Sequence, residues 1–474
     1  MKQGLLRNII IVCFVFLLPL AAFPYDNDIV HPEINEVASR RSSNLATVLQ
    51  MLGFDKGVDS IVYDKEIYLW FRDGGKREDE PVCRTKFHFH DPVKPFGDAG
   101  LNDIVVDLGC MNFNHYSSLA WAQNDDNLAS WQKARLNYLG ALTGTDKDVR
   151  EGKLADTFKA LGQVMHLVSD SSVPAHVRND AHVLVADQFE AWAAANHGKL
   201  SYTGIPVNQS IFNQAVNDAL APVPISALWD IDKYKGNNPE ETVGTNIGIA
   251  EYTNANFFSD DTISREYSYP NWTSVSNQIE DSGIIDPRDP TRTVTRQYFK
   301  KDKHGDAGYR LSTVPFLVEY FTDLNQLETL RIPAILDGEV FTDYASKLIP
   351  RAVGYSAGLL DYFFRGKIEM SPSEDGSGYV IENKTEEDMD GTFELYYDAT
   401  DNQRKQCWSG SFALGALSSG NNKSDTIAFT PPDDAKEPGK YILVFLGRLG
   451  KEDGAVVGAI VNLPSSSFVL LSFA

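Results

Sequence analysis

Cysteine is scarce in this chain of 474 residues, which contains only four. Cys13 lies in an apolar run at the N-terminus. The remainder of the chain holds three more, Cys83, Cys110 and Cys407, and an odd number is a poor basis for a disulfide framework. Cys83 and Cys110 flank one loop-rich stretch and could pair, and the alternative is free or buried thiols. Because no two cysteines are separated by only two residues, zinc fingers with cysteine ligands are excluded.

Positive charge is also in short supply. The chain has 43 Lys and Arg residues against 65 Asp and Glu residues, which gives a formal net charge of −22. Such an acidic protein has no long-range attraction for phosphate polymers or anionic membranes. A phosphate substrate would therefore need a local source of positive charge, for example bound metal cations. Since 43% of the residues are hydrophobic, a large core can form, and global disorder is excluded.

Long apolar runs are absent beyond the N-terminus. There, Lys2 and Arg7 precede an apolar run over residues 9–20, and small alanines follow. This pattern is typical of a secretory signal peptide, and the run is short for a membrane span. We therefore predict a signal peptide at residues 1–22 and an exported protein, either periplasmic or secreted. An uncleaved anchor is the alternative.

The pattern of apolar and turn-forming residues in the remaining sequence changes near Gly366. Before it, apolar residues recur at helical spacing, whereas residues 70–112 and 232–310 are rich in loop-forming residues. After it, short runs such as "GTFELYYDAT" and "GKYILVFLGRLG" predict strands and a β-sandwich. We predict an all-α catalytic domain followed by an all-β sandwich domain, with bounds at residues 23–366 and 367–474.

Histidine occurs only nine times, and three of the nine lie in "LGQVMHLVSDSSVPAHVRNDAH", residues 161–182. His166 and Asp170 are four residues apart on a predicted helix, so their side chains project from one face. Gly162, one turn earlier, is expected to leave the space above His166 open. Pro174 ends the helix, and the chain then turns to present His176.

Further candidate ligands follow and precede this stretch. His182 and Glu190 lie downstream, "GGKREDEPVCRTKFHFHDP" contains Asp79, His88 and His90, and His31 lies in the first predicted helix. Imidazoles and carboxylates without thiolates suit zinc or a similar divalent ion. Because eight or so ligands are too many for one tetrahedral site, they indicate a cluster of ions. Taken singly, each residue could equally be solvated or hydrogen-bonded.

Together these residues resemble the superfamily of zinc-dependent phospholipases C and fungal single-strand nucleases, as a bacterial exported member. The superfamily pattern His-x3-Asp-x3-Pro-x-His is present in order and spacing as His166, Asp170, Pro174 and His176. The resemblance covers about residues 25–260 and implies an all-helical catalytic domain.

The resemblance also implies two or three Zn²⁺ ions. One ion would be held by Asp79, His88, His166 and Asp170, with His90 as the fallback for His88. Asp170 would bridge to a second ion beside His31. His176 would hold the remaining ion with a later histidine and an acidic residue, which we assign to His182 and Glu190. The chain departs from the pattern at Ala186, where a histidine four residues before Glu190 is expected, and its first tryptophan is Trp70 rather than a mature N-terminal one.

The activity that the resemblance implies is hydrolysis of a phosphodiester by a metal-activated hydroxide, with Asp79 and Asp170 as catalytic residues. A phospholipase C-like enzyme is favoured over a single-strand nuclease, because the acidic composition gives no sign of a basic track. The substrate would be a phospholipid or another phosphodiester, with nucleic acid less favoured. By analogy, the C-terminal domain could make peripheral membrane contact. A hypothesis of another class is an inactive, metal-containing binding or structural protein.

Overall fold

The computed structural model describes residues 28–181, 187–214, 224–263, 267–286, 289–314 and 334–463. The predicted signal peptide and His182 therefore lie outside the described residues. Within them, no helix combines the length and the apolar character that crossing a membrane requires.

Ten α-helices occur in the described part of the chain, and all of them end before Phe364. In chain order they are α1 (Val30–Arg41), α2 (Ser43–Met51), α3 (Ile67–Arg77), α4 (Ile104–Cys110), α5 (Ser118–Trp121), α6 (Trp131–Thr143), α7 (Lys147–Asp170), α8 (Gln188–Ala195), α9 (Ile249–Asn256) and α10 (Gly338–Phe363). Short 3₁₀ turns link them, among them Val82–Phe87 and Pro174–Val177.

The long helix α7 lies at the centre of the helical region. Asp146 caps its N-terminus by accepting a hydrogen bond from the backbone N–H of Val149. From residue 160 to residue 170 every side chain of α7 is buried, so neighbouring helices surround its C-terminal half. A helix that is enclosed in this way can present polar side chains to a site that water does not reach freely.

Helix α3 crosses α7 at a contact between glycines. A Cβ atom added at Gly74 would lie 2.2 Å from the carbonyl oxygen of Lys159, and one added at Gly162 would lie 2.5 Å from that of Phe71. Asn35 fastens the crossing, since its Nδ2 donates to the carbonyl oxygens of Phe71 and Gly162 at 3.0 and 2.8 Å.

Two predictions are wrong here. Residues 70–77 belong to helix α3 rather than to a long loop, because close helix packing favours Gly74 and Gly75 more than helix propensity disfavours them. The space beside Gly162 is likewise filled by α3 instead of being open.

The strands form four antiparallel sheets. Their bounds are β1 (Ile61–Val62), β2 (Lys65–Glu66), β3 (Val275–Asp286), β4 (Asp289–Lys301), β5 (Tyr309–Thr313), β6 (Ile368–Pro372), β7 (Tyr379–Asn383), β8 (Met389–Asp398), β9 (Arg404–Leu414), β10 (Lys440–Leu449) and β11 (Glu452–Asn462). In the C-terminal region, a four-stranded sheet in the order β11-β10-β8-β9 packs against the β6–β7 pair around a shared apolar core. The predicted fold class, a helical region followed by a β-sandwich region, is confirmed.

The three-stranded sheet β3-β4-β5 was not anticipated. The prediction that residues 232–310 form loops is wrong for its second half, where β3 and β4 make a long antiparallel ladder. The segment "TVTRQYF" within β4 is rich in β-branched and aromatic residues, which suit strands, but turn-forming residues dominate the composition around it.

The helical and β regions share a buried polar contact. The carboxylate of Glu452 in β11 accepts hydrogen bonds from Trp131 Nε1 at 2.8 Å and from Arg365 Nη1 at 2.6 Å. Apolar side chains of β10 and β11 join the same core as helix α6. Cys83 and Cys110 form a disulfide, whereas Cys407 is a free thiol.

Candidate metal centre

The C-terminal end of α7 supplies the central residues of the candidate site. His166 and Asp170 lie one helical turn apart, and each is about 1% exposed. Helix α7 ends at Asp170, and after Ser171–Val173 the 3₁₀ turn Pro174–Val177 brings the buried His176 back towards Asp170. The histidines of this motif therefore cluster around the carboxylate of Asp170.

A first set of four donor atoms includes Oδ2 of Asp170. This oxygen lies 2.8 Å from His88 Nδ1 and 3.2 Å from His166 Nε2. Asp79 Oδ1 lies 3.4 Å from the same His88 atom and 3.6 Å from the same His166 atom. Two imidazoles from different parts of the chain therefore face two carboxylates.

The separations of 3.2, 3.4 and 3.6 Å are close to those between the ligand atoms of a tetrahedral zinc ion, about 3.3–3.6 Å, whereas the 2.8 Å pair of His88 and Asp170 is shorter. Hydrogen bonds do not account for the arrangement. Among the described residues, both ring nitrogens of His88, Nε2 of His166, Oδ2 of Asp79 and both carboxylate oxygens of Asp170 are buried without a hydrogen-bond partner. Buried polar atoms in native proteins almost always have a hydrogen-bond partner. A group of several such atoms without one therefore indicates a bound cation. The mixture of imidazoles and carboxylates fits zinc better than calcium, which prefers six to eight oxygen ligands.

His31 lies on the other side of Asp170. Its Nε2 is 3.2 Å from Asp170 Oδ1, and its Nδ1 is 2.7 Å from Ser169 Oγ. The Ser169 hydroxyl donates to the carbonyl oxygen of His166, so it acts as an acceptor towards His31. This network assigns the ring proton of His31 to Nδ1 and directs the lone pair of Nε2 at a carboxylate oxygen. A cation between these two acceptors would satisfy both.

A third group of donors completes the cluster. The Nε2 atom of His176 lies 3.4 Å from Oε1 of Glu190, and its Nδ1 lies 3.7 Å from Oδ1 of Asp170. Glu190 is in the first turn of α8 and is fully buried. Asp170, His176 and Glu190 together could hold one ion, as could His31, His166 and Asp170, or Asp79, His88 and His166.

Burial and the mutual interaction of the imidazoles and carboxylates shift the pKa values in the cluster in both directions. Burial lowers the pKa of His166, but the carboxylates of Asp170 and Asp79 outweigh burial and raise that pKa to about 10. Burial raises the pKa of Asp170, yet the surrounding imidazoles, His166 first, bring it well below its usual range. Burial raises the pKa of Asp79 to about 6, and burial together with His166 lowers the pKa of His31 to about 4.

Two residues that the sequence reasoning did not identify orient the imidazoles. The carbonyl oxygen of Gly75 lies 2.6 Å from Nδ1 of His166, so that Nδ1–H donates and Nε2 faces the carboxylates. Ser169 plays the same part for His31. Partners of this kind fix the tautomer and ring orientation of metal-binding histidines.

Glu78, the neighbour of Asp79, is also buried but belongs to a different network. Its carboxylate accepts hydrogen bonds from Arg84 Nη2 at 2.6 Å, Trp121 Nε1 at 2.9 Å and Gln163 Nε2 at 2.7 Å. Because these donors occupy Glu78, Asp79 is the acidic residue that faces the cluster. The sequence carries no local signal for this network, since Trp121 and Gln163 come from segments far from the one that contains Glu78 and Arg84.

His90, the fallback for His88, lies outside the cluster. Its Nε2 is 3.1 Å from Oδ2 of Asp230, which is likewise buried. The buried Glu251 also lies in a separate network and accepts hydrogen bonds from four backbone N–H groups, those of Ile231, Lys233, Tyr234 and Gly248. His90 and Glu251 therefore stabilise neighbouring loops and are not members of the cluster.

Seven of the eight candidate ligands therefore lie together in the structure: His31, Asp79, His88, His166, Asp170, His176 and Glu190. The eighth, His182, is outside the described residues. The structure thus brings together buried side chains that can bind metal.

Comparisons with known proteins add little. No family model matches the chain, and no curated protein matches it. Several solved structures resemble it weakly, among them two clostridial alpha toxins. The alpha toxin from Clostridium absonum has a TM-score of 0.36 and 12% identity and covers 94% of this chain and 99% of its own. The alpha-toxin of Clostridium perfringens isolated from an avian strain has a TM-score of 0.28 and 10% identity, with coverage of 92% and 98%. At such values the likeness carries no argument, and function must be inferred from the site.

Proposed function

We propose that this chain is an exported, zinc-dependent phosphoric diester hydrolase of the phospholipase C type. The observation that carries the proposal is the position of Asp170, whose two carboxylate oxygens face different imidazoles, His88 and His166 at Oδ2 and His31 at Oδ1. A carboxylate in this position is suited to bridge two cations. Two or three zinc ions held there would lower the pKa of a water molecule and neutralise the charge of a phosphodiester.

Asp79 is placed to act as the proton acceptor for such a substrate. Asp79 keeps its Oδ2 without a hydrogen-bond partner among the described residues. That oxygen is therefore available to orient a water molecule and to accept its proton during attack on phosphorus. The backbone position of Asp79 is held by Glu78 and its three donors, so the accepting oxygen needs little reorganisation.

A phospholipid is the favoured substrate within this class. A single-strand nuclease uses a basic groove and aromatic platforms to bind the polymer. The net charge of −22 gives no attraction of this kind, while a zwitterionic headgroup requires none.

The first test is the metal content of purified mature protein, measured by plasma mass spectrometry for wild type and for Asp170→Asn. We expect two or three zinc ions per chain in the wild type and at least one fewer in the variant. Asp156→Asn is the matched control, because Asp156 lies on the same helix at the surface, paired with Lys159. An unchanged metal content in Asp170→Asn would overturn the proposed cluster.

Turnover then separates the remaining hypotheses. The wild type should hydrolyse phosphatidylcholine faster than single-stranded DNA, and removal of metal by a chelator should abolish both activities. The reverse preference would indicate a nuclease. Bound zinc without turnover of any phosphodiester would instead support an inactive binding or structural protein.

A further inference from the structure

An apolar surface lies beside the candidate metal centre, on helix α4 and the residues that follow it. Five large apolar side chains are each more than half exposed to solvent, and Met111 is 88% exposed. We call this surface the α4 patch; its members are Ile104, Val105, Leu108, Met111 and Phe113. Contiguous exposed apolar surface is uncommon on monomeric proteins and marks sites of interaction.

The α4 patch also lacks exposed charge. From residue 104 to residue 114, the only ionisable side chain is Asp107, in a chain of which 23% of the residues are charged. Asp107 points inward and is buried, with its Oδ1 2.8 Å from Lys86 Nζ and its Oδ2 2.8 Å from His115 Nε2. The outer face of α4 is therefore both apolar and uncharged, unlike most of the surface of this acidic protein.

The α4 patch is connected to the candidate site by a disulfide and by apolar contacts. The Cys83–Cys110 disulfide ties the end of α4 to the segment that leads to His88. On the inner face of α4, Val106 packs against Phe89, and the ring of Phe89 is stacked on that of His176 at 4.7 Å. A ligand that covers the outer face of α4 would thus lie close to the cluster.

We propose that the α4 patch inserts into the surface of a zwitterionic lipid bilayer and thereby delivers phospholipid headgroups to the metal centre, an inference that rests on the proposed phospholipase function. The patch projects from a helix and is not a groove, so it does not suit a bound peptide. Its five side chains are far fewer than the 20–30 residues a side that stable protein interfaces use, which disfavours a second copy of the chain. The absence of exposed charge on the patch and the net charge of −22 exclude attraction to anionic lipids and leave neutral or zwitterionic lipids.

The test compares vesicle binding by full-length variants in sedimentation with phosphatidylcholine vesicles. Leu108→Ser combined with Met111→Ser should lower the vesicle affinity at least tenfold. Two exposed apolar residues outside the patch provide matched controls: Val149→Ser on α7, and Leu446→Ser, which probes membrane contact through the C-terminal sheet. Both controls should bind as the wild type does. Equal binding by the double variant, or a loss confined to Leu446→Ser, would overturn the proposal.

A second measurement reports insertion directly and does not depend on loss of function. Met111→Trp adds a fluorophore at the most exposed position of the patch to the seven tryptophans of the chain. The difference between its emission and that of the wild type should shift to shorter wavelength on vesicles and be quenched by brominated phosphatidylcholine. An emission spectrum that vesicles leave unchanged contradicts insertion. If light scattering shows a wild-type dimer that the double variant dissociates, a second copy of the chain is the occupant and the lipid proposal is wrong.

Failure of this inference can be distinguished from failure of the proposed function. The double variant should retain the zinc content and the rate of hydrolysis of bis(p-nitrophenyl) phosphate, a soluble diester that does not require a membrane. If no form of the protein hydrolyses that diester or phosphatidylcholine, the proposed function fails, whereas vesicle binding through α4 is judged by the sedimentation result alone.

Discussion

The Nε2 atom of His31 lies 3.2 Å from Oδ1 of Asp170, while the opposite ring nitrogen lies 2.7 Å from the hydroxyl of Ser169. A residue of α1 is thereby aimed at the last residue of α7 by a serine that itself binds the backbone of His166. This relationship makes Ser169 part of the candidate centre without being a ligand, and it gives a test of the tautomer assignment.

Ser169→Ala should weaken metal binding without removing a ligand. Without the hydroxyl, nothing fixes the proton of His31 on Nδ1, and we expect the affinity for zinc to fall by about 10- to 100-fold. Competition with a chromophoric zinc chelator measures this affinity. Ser171→Ala is the control, since the Ser171 hydroxyl makes only a 3.5 Å contact with the carbonyl oxygen of Leu167. Equal affinities for the two variants would show that Ser169 does not orient His31.

Gly162→Ala should destabilise the protein. The added methyl group would lie 2.5 Å from the carbonyl oxygen of Phe71 and 3.1 Å from Cα of Gly74, so α3 must move away from α7. Overpacking of this kind costs about 1–3 kcal/mol in the free energy of unfolding. The displacement would also carry the carbonyl of Gly75 away from His166, so zinc affinity should fall with stability.

Gly152→Ala is the matched control for this prediction. It lies on the same helix, but no atom is within 4 Å of its added Cβ. The better helix propensity of alanine should leave the stability unchanged or raise it by up to about 1 kcal/mol. Urea titrations at a fixed free zinc concentration measure both variants. If Gly162→Ala is as stable as Gly152→Ala, the two helices do not cross as closely as the structure places them.

The part of the site that the sequence could predict is the part that local geometry determines. His166, Asp170, Pro174 and His176 lie within eleven residues, and the helical repeat and the restriction before proline already place them on one side of the chain. The resemblance supplied Asp79, His88, His31 and Glu190, which no spacing rule connects. The structure brings them together only through tertiary packing.

What the sequence could not predict depends on contacts between distant segments. Gly74 and Gly75 indicated a loop, because their close approach to Gly162 is visible only when α3 lies on α7. The network of Glu78 has the same character, since Arg84, Trp121 and Gln163 form no motif. The strands β3–β5 were missed because turn-forming residues dominate the composition of the surrounding segment.

Glu452→Gln should uncouple the β region from the helical region. The carboxylate is 3% exposed and binds Arg365 and Trp131, and Arg135 also contacts it. The amide would leave the buried charge of Arg135 without its counter-ion, whereas Arg365 keeps its ion pair with Glu387. Breaking a buried pair in this way costs about 3–5 kcal/mol.

Glu437→Gln provides the comparison, because Glu437 forms only an exposed pair with Lys440 in the same region. Such a pair contributes about 0–1 kcal/mol. Calorimetry should show a large loss of stability for Glu452→Gln and a change close to zero for Glu437→Gln. Similar losses for the two variants would mean that Glu452 is not a point of coupling.

Asp260 should make the stability of the metal-free protein depend on pH. Burial raises the pKa of Asp260, and the neighbouring carboxylates of Asp187, Asp180 and Asp261 raise it further, to about 7. In the unfolded chain this pKa is about 3.9, so between about pH 4 and pH 7 the folded state binds more protons than the unfolded state. Asp260 therefore lowers stability as the pH rises through this interval, and its full cost is present above about pH 7.

Asp260→Asn should remove this cost. The variant should be more stable than the wild type at pH 8, and the titrating part of the difference should shrink as the pH falls, become small near pH 4 and vanish below about pH 3, where the folded and unfolded states are both protonated at this position. Thermal unfolding in the presence of a chelator measures the effect without the contribution of bound metal. Asp425→Asn, at an exposed position of the β region, is the control variant. A stability difference for Asp260→Asn that is the same at pH 4 and pH 8 would show that the carboxylate is not strained by burial and like charge, since a loss or gain of packing alone does not titrate.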